Sequence, residues 1–402
     1  MNGIWLRPVA PGLRRETWGA LVALGIVAGL SGCRNHDFPE YPANYREFVY
    51  VTNGGSNTVS VFDVVHVRLD REIPVGVNPT GVTANPRRNE VYVVNSGPAS
   101  GGNGSVSVID AQKNAVVATI PLHRLPYSLD LDAARDLAYV ANSGSNSVSI
   151  LDLKTRREIA VIGTGEAPGI ARISPDGKSL VVTNRAGNSV SILDASQNAG
   201  QLRKVIEGCP GATDAVILPD SSKAFVACSA GHQIMAIALA RAADGSNPAT
   251  QDGLEALLDV GRSPVQLALK PDGGELFVSN FDSDSISEVV TNTNDVGGAY
   301  LMGSNPVRGL VSEDNSLLYV SNFRSQEITV YSIDDGKRVD KPIHVGDGPD
   351  ALAFSANGNL LFAVDARSRD VAVIRTSTRS LFTLLPTEKQ PNAIADLAFR
   401  LQ

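Results

Sequence analysis

The stretch YVTNGGSNTVSVFD, residues 50–63, contains two strand-like segments around a turn rich in glycine, asparagine and serine. The first segment is apolar, and the second alternates apolar with small polar residues until it ends at Asp63. Such an arrangement is typical of a β-hairpin. Whether this hairpin occurs once or many times decides the fold.

The hairpin recurs along the chain. Clear copies are YVANSGSNSVSILD (139–152), VVTNRAGNSVSILD (181–194), FVSNFDSDSISEVV (277–290), YVSNFRSQEITVYS (319–332) and FAVDARSRDVAVIR (362–375), and looser copies occupy residues 92–110 and 225–239. The residues that enter the turns are Asn53, Asn95, Asn142, Asn184, Cys228, Asn280, Asn322 and Asp365. Their separations of 42 to 52 residues predict eight repeated units.

A second pattern lies between the hairpins. A Gly-x-x-Pro-like corner precedes an apolar segment, as in GVNP (76–79), GEAP (165–168) and GDGP (346–349), and turns such as SPDGK (174–178) lead into the next hairpin. Each unit therefore contains four predicted strands: an inner strand after the corner, the two hairpin strands, and an outer strand. Four-stranded units with this period are typical of β-propeller blades.

These residues resemble the YVTN-repeat β-propeller family, named for the tetrapeptide at Tyr50–Asn53. The resemblance covers about residues 46–400 and implies an all-β fold, a single propeller over residues 46–402. We expect eight blades, with seven as the alternative because the copy at Cys228 is the most divergent. We also expect PNAIADLAF (391–399) to pair with FVYVTN (48–53), which closes the ring and hides two strand edges.

The first 33 residues differ in character from the repeats. Arg7, Arg14 and Arg15 precede an apolar stretch that ends in LSGC (30–33), which resembles a bacterial lipobox. We therefore expect residues 1–32 to be a signal peptide, Cys33 to be lipidated, and residues 33–45 to tether an exported, membrane-anchored protein facing the periplasm or the cell surface. An uncleaved anchor or an ordinary signal peptide is the alternative. The arginine pair also resembles a twin-arginine export signal.

Charge and cysteine content limit the partners and the compartment. The formal net charge is −7, and without residues 1–32 the chain has 32 basic and 41 acidic residues. This acidic balance argues against nucleic acid as the main partner. Besides Cys33, the chain contains only Cys209 and Cys228, and an even pair in an exported protein is a disulfide candidate. Buried free thiols are the alternative.

Candidate ligand residues are those that depart from the repeat. We interpret the turn-entry asparagines as structural, because asparagine forms turns readily. Unusual polar residues near the corners and inner strands are His123, Tyr127, Arg172, Asp214, Gln266, Arg308, His344 and Asp350. Of these, we predict that His123, Tyr127, Arg172, Gln266, Arg308, His344 and Asp350 bind a ligand at the channel mouth. Solvated residues of an ordinary channel are the alternative.

No local motif for catalysis, metal binding or covalent haem attachment occurs, so the sequence predicts no catalytic or metal-binding residue. We predict a monomeric ring that serves as a binding or scaffold module for a protein, glycan or small ligand of the cell envelope. The blades are also similar to the d1-haem domains of nitrite reductases, which implies a haem d1 cofactor with His123 and His344 near the correct rim. A similarity to lactonase-type propellers implies a hydrolase, without any matching catalytic residue.

Overall fold

The computed structural model describes residues 41–197, 200–240, 251–339 and 341–401. The chain divides into two compact units, Met1–Ala43 and Asn44–Gln402. The predicted signal peptide, Cys33 and most of the predicted tether lie outside the described residues. In the part of the chain that is described, no helix has the length and apolar character needed to cross a membrane.

The unit Asn44–Gln402 consists of eight antiparallel sheets, which we call blades 1 to 8. From the inner to the outer strand, blade 1 contains β33 (Pro391–Arg400), β1 (Tyr45–Asn53), β2 (Thr58–Asp63) and β3 (Arg68–Pro74). Blade 2 contains β4 (Pro79–Asn85), β5 (Glu90–Asn95), β6 (Asn103–Asp110) and β7 (Ala115–Arg124). Blade 3 contains β8 (Pro126–Asp132), β9 (Leu137–Asn142), β10 (Ser147–Asp152) and β11 (Arg157–Gly163).

The next three blades follow the same order. Blade 4 contains β12 (Pro168–Ile173), β13 (Ser179–Asn184), β14 (Ser189–Asp194) and β15 (Gln201–Glu207). Blade 5 contains β16 (Ala212–Ile217), β17 (Lys223–Cys228), β18 (Gln233–Ala238) and β19 (Gly253–Asp259). Blade 6 contains β20 (Pro264–Leu269), β21 (Glu275–Asn280), β22 (Ser285–Val290) and β23 (Asp295–Leu301).

The last two blades complete the ring. Blade 7 contains β24 (Pro306–Val311), β25 (Leu317–Asn322) and β26 (Glu327–Ser332), and its outer strand is divided into β27 (Lys337–Arg338) and β28 (Ile343–His344). Blade 8 contains β29 (Pro349–Phe354), β30 (Leu360–Asp365), β31 (Asp370–Arg375) and β32 (Ser380–Pro386). The described residues include no α-helix and two short 3-10 turns, Ser229–Gly231 and Phe281–Ser283. The prediction of an all-β propeller with eight blades is confirmed.

The two ends of the unit meet in blade 1. Strand β1 pairs with β33 in an antiparallel register that runs from Tyr45 opposite Arg400 to Asn53 opposite Pro391. Beyond this pairing, the N–H of Leu401 donates to the carbonyl of Asn44 at 2.8 Å. The predicted closure is therefore confirmed: β33 covers the edge of β1 and becomes the inner edge strand of the blade.

Apolar side chains between neighbouring blades form the core. The second and third strands of the blades are almost entirely buried, and the outer strands alternate between buried and exposed residues. Tyr139 and Ile150 of blade 3 pack against Leu180 and Val182 of blade 4, and similar clusters fill the other interfaces. Burial of these facing apolar surfaces is what holds successive sheets together around the ring.

Candidate functional site

A cavity of about 500 Å³ lies between the inner strands, near their corner ends. Residues from the inner strands of blades 1, 2, 3, 4, 7 and 8 line it. The cavity brings together four of the predicted ligand residues, namely Tyr127, Arg172, Arg308 and Asp350. It is therefore the candidate functional site.

Three predicted ligand residues lie elsewhere. His123 lies near the end of the outer strand β7, where its Nε2 is 3.2 Å from Glu158 Oε1 of blade 3. His344 ends the outer strand β28 and is exposed. Both histidines therefore lie on outer strands, paired with the third strand, and neither is among the residues that line the cavity. This corrects their predicted position near the channel rim.

Gln266 is on an inner strand, but its side chain is buried in a contact between blades. Its Oε1 accepts the N–H of Gly309 at 2.7 Å, and its Nε2 donates to the carbonyl of Leu267 at 2.7 Å. Both polar atoms are therefore engaged by the protein. The side chain joins blade 6 to blade 7 and is not among the residues that line the cavity.

The turn-entry asparagines are structural. Asn53 is fully buried, and its Nδ2 donates to Thr58 Oγ1 at 3.1 Å and to Ser60 Oγ at 2.8 Å on the third strand. Equivalent pairs of hydroxyl acceptors serve Asn95, Asn142, Asn184 and Asn280. The asparagines are therefore structural, as expected, but they act by holding the second and third strands together and not by forming the turn.

Blade 5 has a cysteine in place of the turn-entry asparagine. Cys209, in the corner, and Cys228, at the end of the second strand, form a disulfide with a Cα–Cα distance of 4.8 Å. Both residues are fully buried. In blade 7, by comparison, Asn322 Oδ1 accepts the N–H of Gly303 in the corner at 3.1 Å. The disulfide thus makes the same connection between corner and second strand.

All eight inner strands pair with the second strand in one register. We number inner positions from the corner, where proline occupies position 0 in every blade except blade 5, which has Ala212. Position 3 always pairs with the residue two before the turn entry, as Val82 does with Val93 and Leu352 with Ala363. The position-2 residues are Ala393, Gly81, Ser128, Ile170, Asp214, Gln266, Arg308 and Ala351, from blade 1 to blade 8. The position-3 residues are Ile394, Val82, Leu129, Ala171, Ala215, Leu267, Gly309 and Leu352.

Polar side chains at position 2 accept backbone N–H groups of the next blade. Ser128 Oγ accepts the N–H of Ala171 at 3.3 Å, and Asp214 Oδ2 accepts the N–H of Leu267 at 3.0 Å. Gln266 makes the equivalent contact to Gly309. Inner strands have no further strand beside them, so these side chains satisfy donors that would otherwise lack a protein partner.

The cavity occurs where position 2 lacks such a side chain. Ala351, Ala393 and Gly81 occupy this position in the consecutive blades 8, 1 and 2, and all three line the cavity. Their small size leaves the space that larger side chains would fill. These three residues could not be recognised as site residues from their type, because glycine and alanine have no functional group. Alignment of the eight inner strands on their corners does show the small residues side by side.

Arg172 is the better paired of the two cavity arginines. Its guanidinium lies 3.6 Å from Asp130 and 4.0 Å from Asp214, and its Nε donates to the carbonyl of Ala215 at 3.2 Å. The carboxylates of Asp130 and Asp214 raise the pKa of Arg172 above its ordinary value, against the opposing effect of burial. Arg172 therefore contributes a positive charge that the protein largely compensates.

Arg308 is less well satisfied. Its Nε is buried without a hydrogen-bond partner, and among the described residues no carboxylate lies within 4.0 Å of its guanidinium. Asp350, on the next blade, lines the same cavity. Burial raises the pKa of Asp350, and the positive charge of Arg308 opposes this rise. The cavity thus has an excess of hydrogen-bond donors beside Arg308.

Tyr127 contributes an aromatic surface to the cavity. Its side chain is 42% exposed, and the guanidinium of Arg185 lies 5.4 Å from the centre of its ring. Blade 3, which carries Tyr127, is four blades from blade 7, which carries Arg308. Tyr127 and Arg308 therefore line the cavity from opposite sides of the ring of blades.

A family model described as a YNCE-like beta-propeller matches residues 128–394. The chain belongs to the YNCE-like beta-propeller family. No curated protein sequence matches the chain significantly. The match identifies the architecture of this YNCE-like propeller and leaves the cavity chemistry to be argued from its own residues.

Solved propellers of varied function are similar to this YNCE-like propeller. Dihydro-heme d1 dehydrogenase NirN in complex with DHE has a TM-score of 0.70 at 16% identity, covering 89% of this chain and 76% of that chain. AztD from Citrobacter koseri has a TM-score of 0.65 at 12% identity, covering 89% and 99%. A putative 6-phosphogluconolactonase from Bacteroides uniformis has a TM-score of 0.61 at 14% identity, covering 88% and 100%. At these identities the similarity concerns the fold alone.

The described residues of this YNCE-like propeller include no cluster of three or more side chains that would hold a metal ion. The residues that line the cavity include two arginines, one aspartate and one tyrosine, together with small and apolar side chains. This set is suited to reversible recognition of an anion by charge and hydrogen bonds.

Proposed function

We propose that this protein is an exported, lipid-anchored propeller that binds a small anionic ligand in the cavity between its inner strands. The observation that carries the proposal is Arg308, whose Nε is buried in the cavity wall without a partner. A buried charged donor without an acceptor costs free energy. An anion in the cavity would supply the missing acceptor and recover that cost.

The surrounding charges favour an anion of low charge. Arg172 already faces Asp130 and Asp214, so Arg308 is the main uncompensated positive group. Asp350 in the same cavity disfavours a highly charged ligand. Tyr127 adds an apolar face on which the uncharged part of such a ligand would pack.

The proposed location depends on the N-terminal sequence. LSGC (30–33) supports lipidation at Cys33 after export. The disulfide between Cys209 and Cys228 supports an oxidising compartment, because such bonds persist outside the cytosol. We therefore place the cavity in the periplasm or at the cell surface, where a ligand reaches it without entering the cell.

Haem d1 binding and lactone hydrolysis are the weaker proposals. None of the described histidines is among the residues that line the cavity, so an axial histidine for haem iron would need another position. An absorption spectrum after incubation with haem d1 tests this directly. A spectrum without a shift removes the tetrapyrrole proposal, and a shift that persists in a H123A/H344A double variant would exclude those two histidines as ligands.

Anion binding is tested by thermal unfolding of the full-length protein in detergent. We expect at least one of acetate, propionate, succinate, phosphate and sulfate to raise the melting temperature of the wild type, because ligands that bind the native state stabilise it. The increase should be reduced in R308A. If none of these anions stabilises the protein more than chloride does, the proposed function is wrong.

Lipidation is tested separately. Cells that express the wild type are grown with radiolabelled palmitate, and C33A is the matched control. We expect label on the wild type and none on C33A. Equal labelling of the two proteins, or no label on either, would contradict the lipid anchor without affecting the cavity.

A further inference from the structure

We propose that the anion is a carboxylate, held between the Arg308 guanidinium and the backbone N–H of Leu352. This inference rests on the proposed function, because it names the chemical class of the ligand in the same cavity. It follows from the register shared by the eight inner strands.

The position-3 N–H groups have a common direction in three blades. In blades 4, 6 and 7 this group points at the position-2 side chain of the preceding blade, as the hydrogen bonds to Ser128, Asp214 and Gln266 demonstrate. In blade 5 the preceding position 2 is Ile170, and the N–H of Ala215 bonds instead to Asp214 Oδ1 of its own strand at 2.9 Å. Every one of these four N–H groups therefore has a side-chain acceptor.

The other four blades have the same register between the inner and second strands. Their position-3 residues are Leu352, Ile394, Val82 and Leu129, and the position-2 residues before them are Arg308, Ala351, Ala393 and Gly81. None of these four side chains offers a hydrogen-bond acceptor. All eight residues line the cavity. Four backbone donors are thus directed toward the cavity, and Arg308 adds its guanidinium beside the N–H of Leu352.

Asp214 provides an example, within the same molecule, of a carboxylate between a backbone N–H and a guanidinium. One oxygen of its carboxylate accepts the N–H of Leu267 at 3.0 Å, and the other lies 4.0 Å from the guanidinium of Arg172. Between blades 7 and 8 the guanidinium and the N–H are present, but inner position 2 carries no carboxylate as it does in blade 5. A ligand carboxylate would complete this arrangement, since its two oxygens in one plane match a guanidinium and a neighbouring donor.

The charge and shape of an anion determine whether it fits these groups. A tetrahedral phosphate or sulfate carries more charge and has oxygens that point away from the donors toward Asp350. Asp350 also follows directly after the corner of blade 8 and lines the cavity next to Leu352. A singly charged, planar carboxylate therefore fits this combination of groups better than a phosphate or a sulfate.

The test compares propionate with phosphate by isothermal titration of the full-length protein, using R308Q as the main variant. Glutamine at this position offers Leu352 the same amide oxygen that Gln266 offers Gly309. We expect R308Q to bind propionate at least tenfold more weakly and to unfold at the same or a higher temperature. R324Q is the matched control, because Arg324 is an exposed arginine of the same blade outside the cavity.

Three outcomes separate the possibilities. Binding of phosphate as tight as that of propionate overturns the carboxylate assignment and leaves anion binding in place. Unchanged propionate affinity in a folded R308Q overturns the role of Arg308. Absence of any anion binding by the wild type removes the proposed function as well. R308K, which keeps the charge but loses the planar pair of donors, is expected to lose most of the propionate affinity.

Discussion

Two halves of the ring differ at inner position 2. The first half contains the interfaces from blade 3 to blade 7. The second half runs from blade 7 through blades 8, 1 and 2 back to blade 3. In the first half, the side chains of Ser128, Asp214 and Gln266 accept hydrogen bonds from backbone N–H groups of the neighbouring blade. In the second half, Gly81, Ala351 and Ala393 leave those donors facing a cavity. The repeat supplies the same backbone register in every blade, so the side chain at one position decides whether the interface holds a structural contact or an open cavity.

Removal of a structural contact should have the largest effect. In D214A the N–H groups of Leu267 and Ala215 lose their acceptor and Arg172 loses a partner, so we expect a loss of about 3 kcal/mol in unfolding free energy. Urea unfolding measures the loss. D214N, which keeps one oxygen for Leu267, should lose about half as much, on the order of 1 to 2 kcal/mol. A loss in D214A no greater than that of a surface substitution would mean that these contacts do not stabilise the ring.

A carboxyl pair in blade 8 should have the next largest effect. Asp365 replaces the usual turn-entry asparagine, is fully buried and lies opposite Asp370. Burial, together with Asp370 and Asp347, raises the pKa of Asp365 to about 9. Between its unfolded and folded pKa values the native state holds the extra proton, so stability falls as pH rises through this range.

The D365N variant tests this account. An asparagine at position 365 would donate its side-chain N–H to Asp370, as the turn-entry asparagines of other blades donate to hydroxyl groups. Unlike Asp365, it has no proton that titrates. We expect D365N to be more stable than the wild type by about 2 kcal/mol at pH 8 and equally stable near pH 4. Urea unfolding at both pH values provides the measurement. N142D should show the opposite change at pH 8, and a pH-independent difference between D365N and wild type would contradict the extra proton on Asp365.

Asp350 should make ligand binding depend on pH. Burial raises the pKa of this carboxyl group, so it is neutral below the raised value and repels an anion above it. Propionate affinity should therefore decrease as pH rises, by up to about tenfold. D350N should remove most of this decrease and should match the wild type at the acidic end. Titration calorimetry over this range measures both proteins, and an identical pH profile would exclude Asp350 as the cause.

Addition of a hydrogen-bond acceptor at Gly81, between blades 2 and 3, should have the smallest effect. At Gly81 an added Cβ atom would lie 3.5 Å from the carbonyl of Tyr127, which is ordinary contact. In G81S the hydroxyl should accept the N–H of Leu129, as Ser128 accepts that of Ala171, and should stabilise the ring by about 0.5 to 1 kcal/mol. Thermal unfolding measures the gain, and G81A, which adds the Cβ without an acceptor, is the control. Equal stability of G81S and G81A would contradict the proposed direction of this N–H.

The fold could be predicted from the sequence because its determinants are local. Strand alternation, turn residues and corner prolines lie within each unit, and their repetition revealed both the blade count and the incomplete first blade. Four cavity residues were predicted because arginine, aspartate and tyrosine stand out among small and apolar inner residues. Gln266 was not separable from them, because whether its amide faces a ligand or the N–H of Gly309 depends on how one blade lies against the next.

His123 was misplaced for a related reason. His123 stands close to a corner in the sequence, but β7 has ten residues and continues past it to Arg124. The length of an outer strand depends on its pairing with the third strand, which extends here because of the longer hairpin in blade 2. A corner motif therefore marks where an inner strand begins more reliably than where the preceding outer strand ends.

The closure of blade 1 has a consequence for the order in which the molecule forms. Asn44 and Leu401, 357 positions apart, are joined by hydrogen bonds at the end of the same sheet. Within the propeller, the second strand of blade 1 is synthesised before every other strand, and its inner partner β33 after all of them. Until β33 is synthesised, the nascent propeller is an open arc with exposed strand edges at both ends, which calls for protection during synthesis.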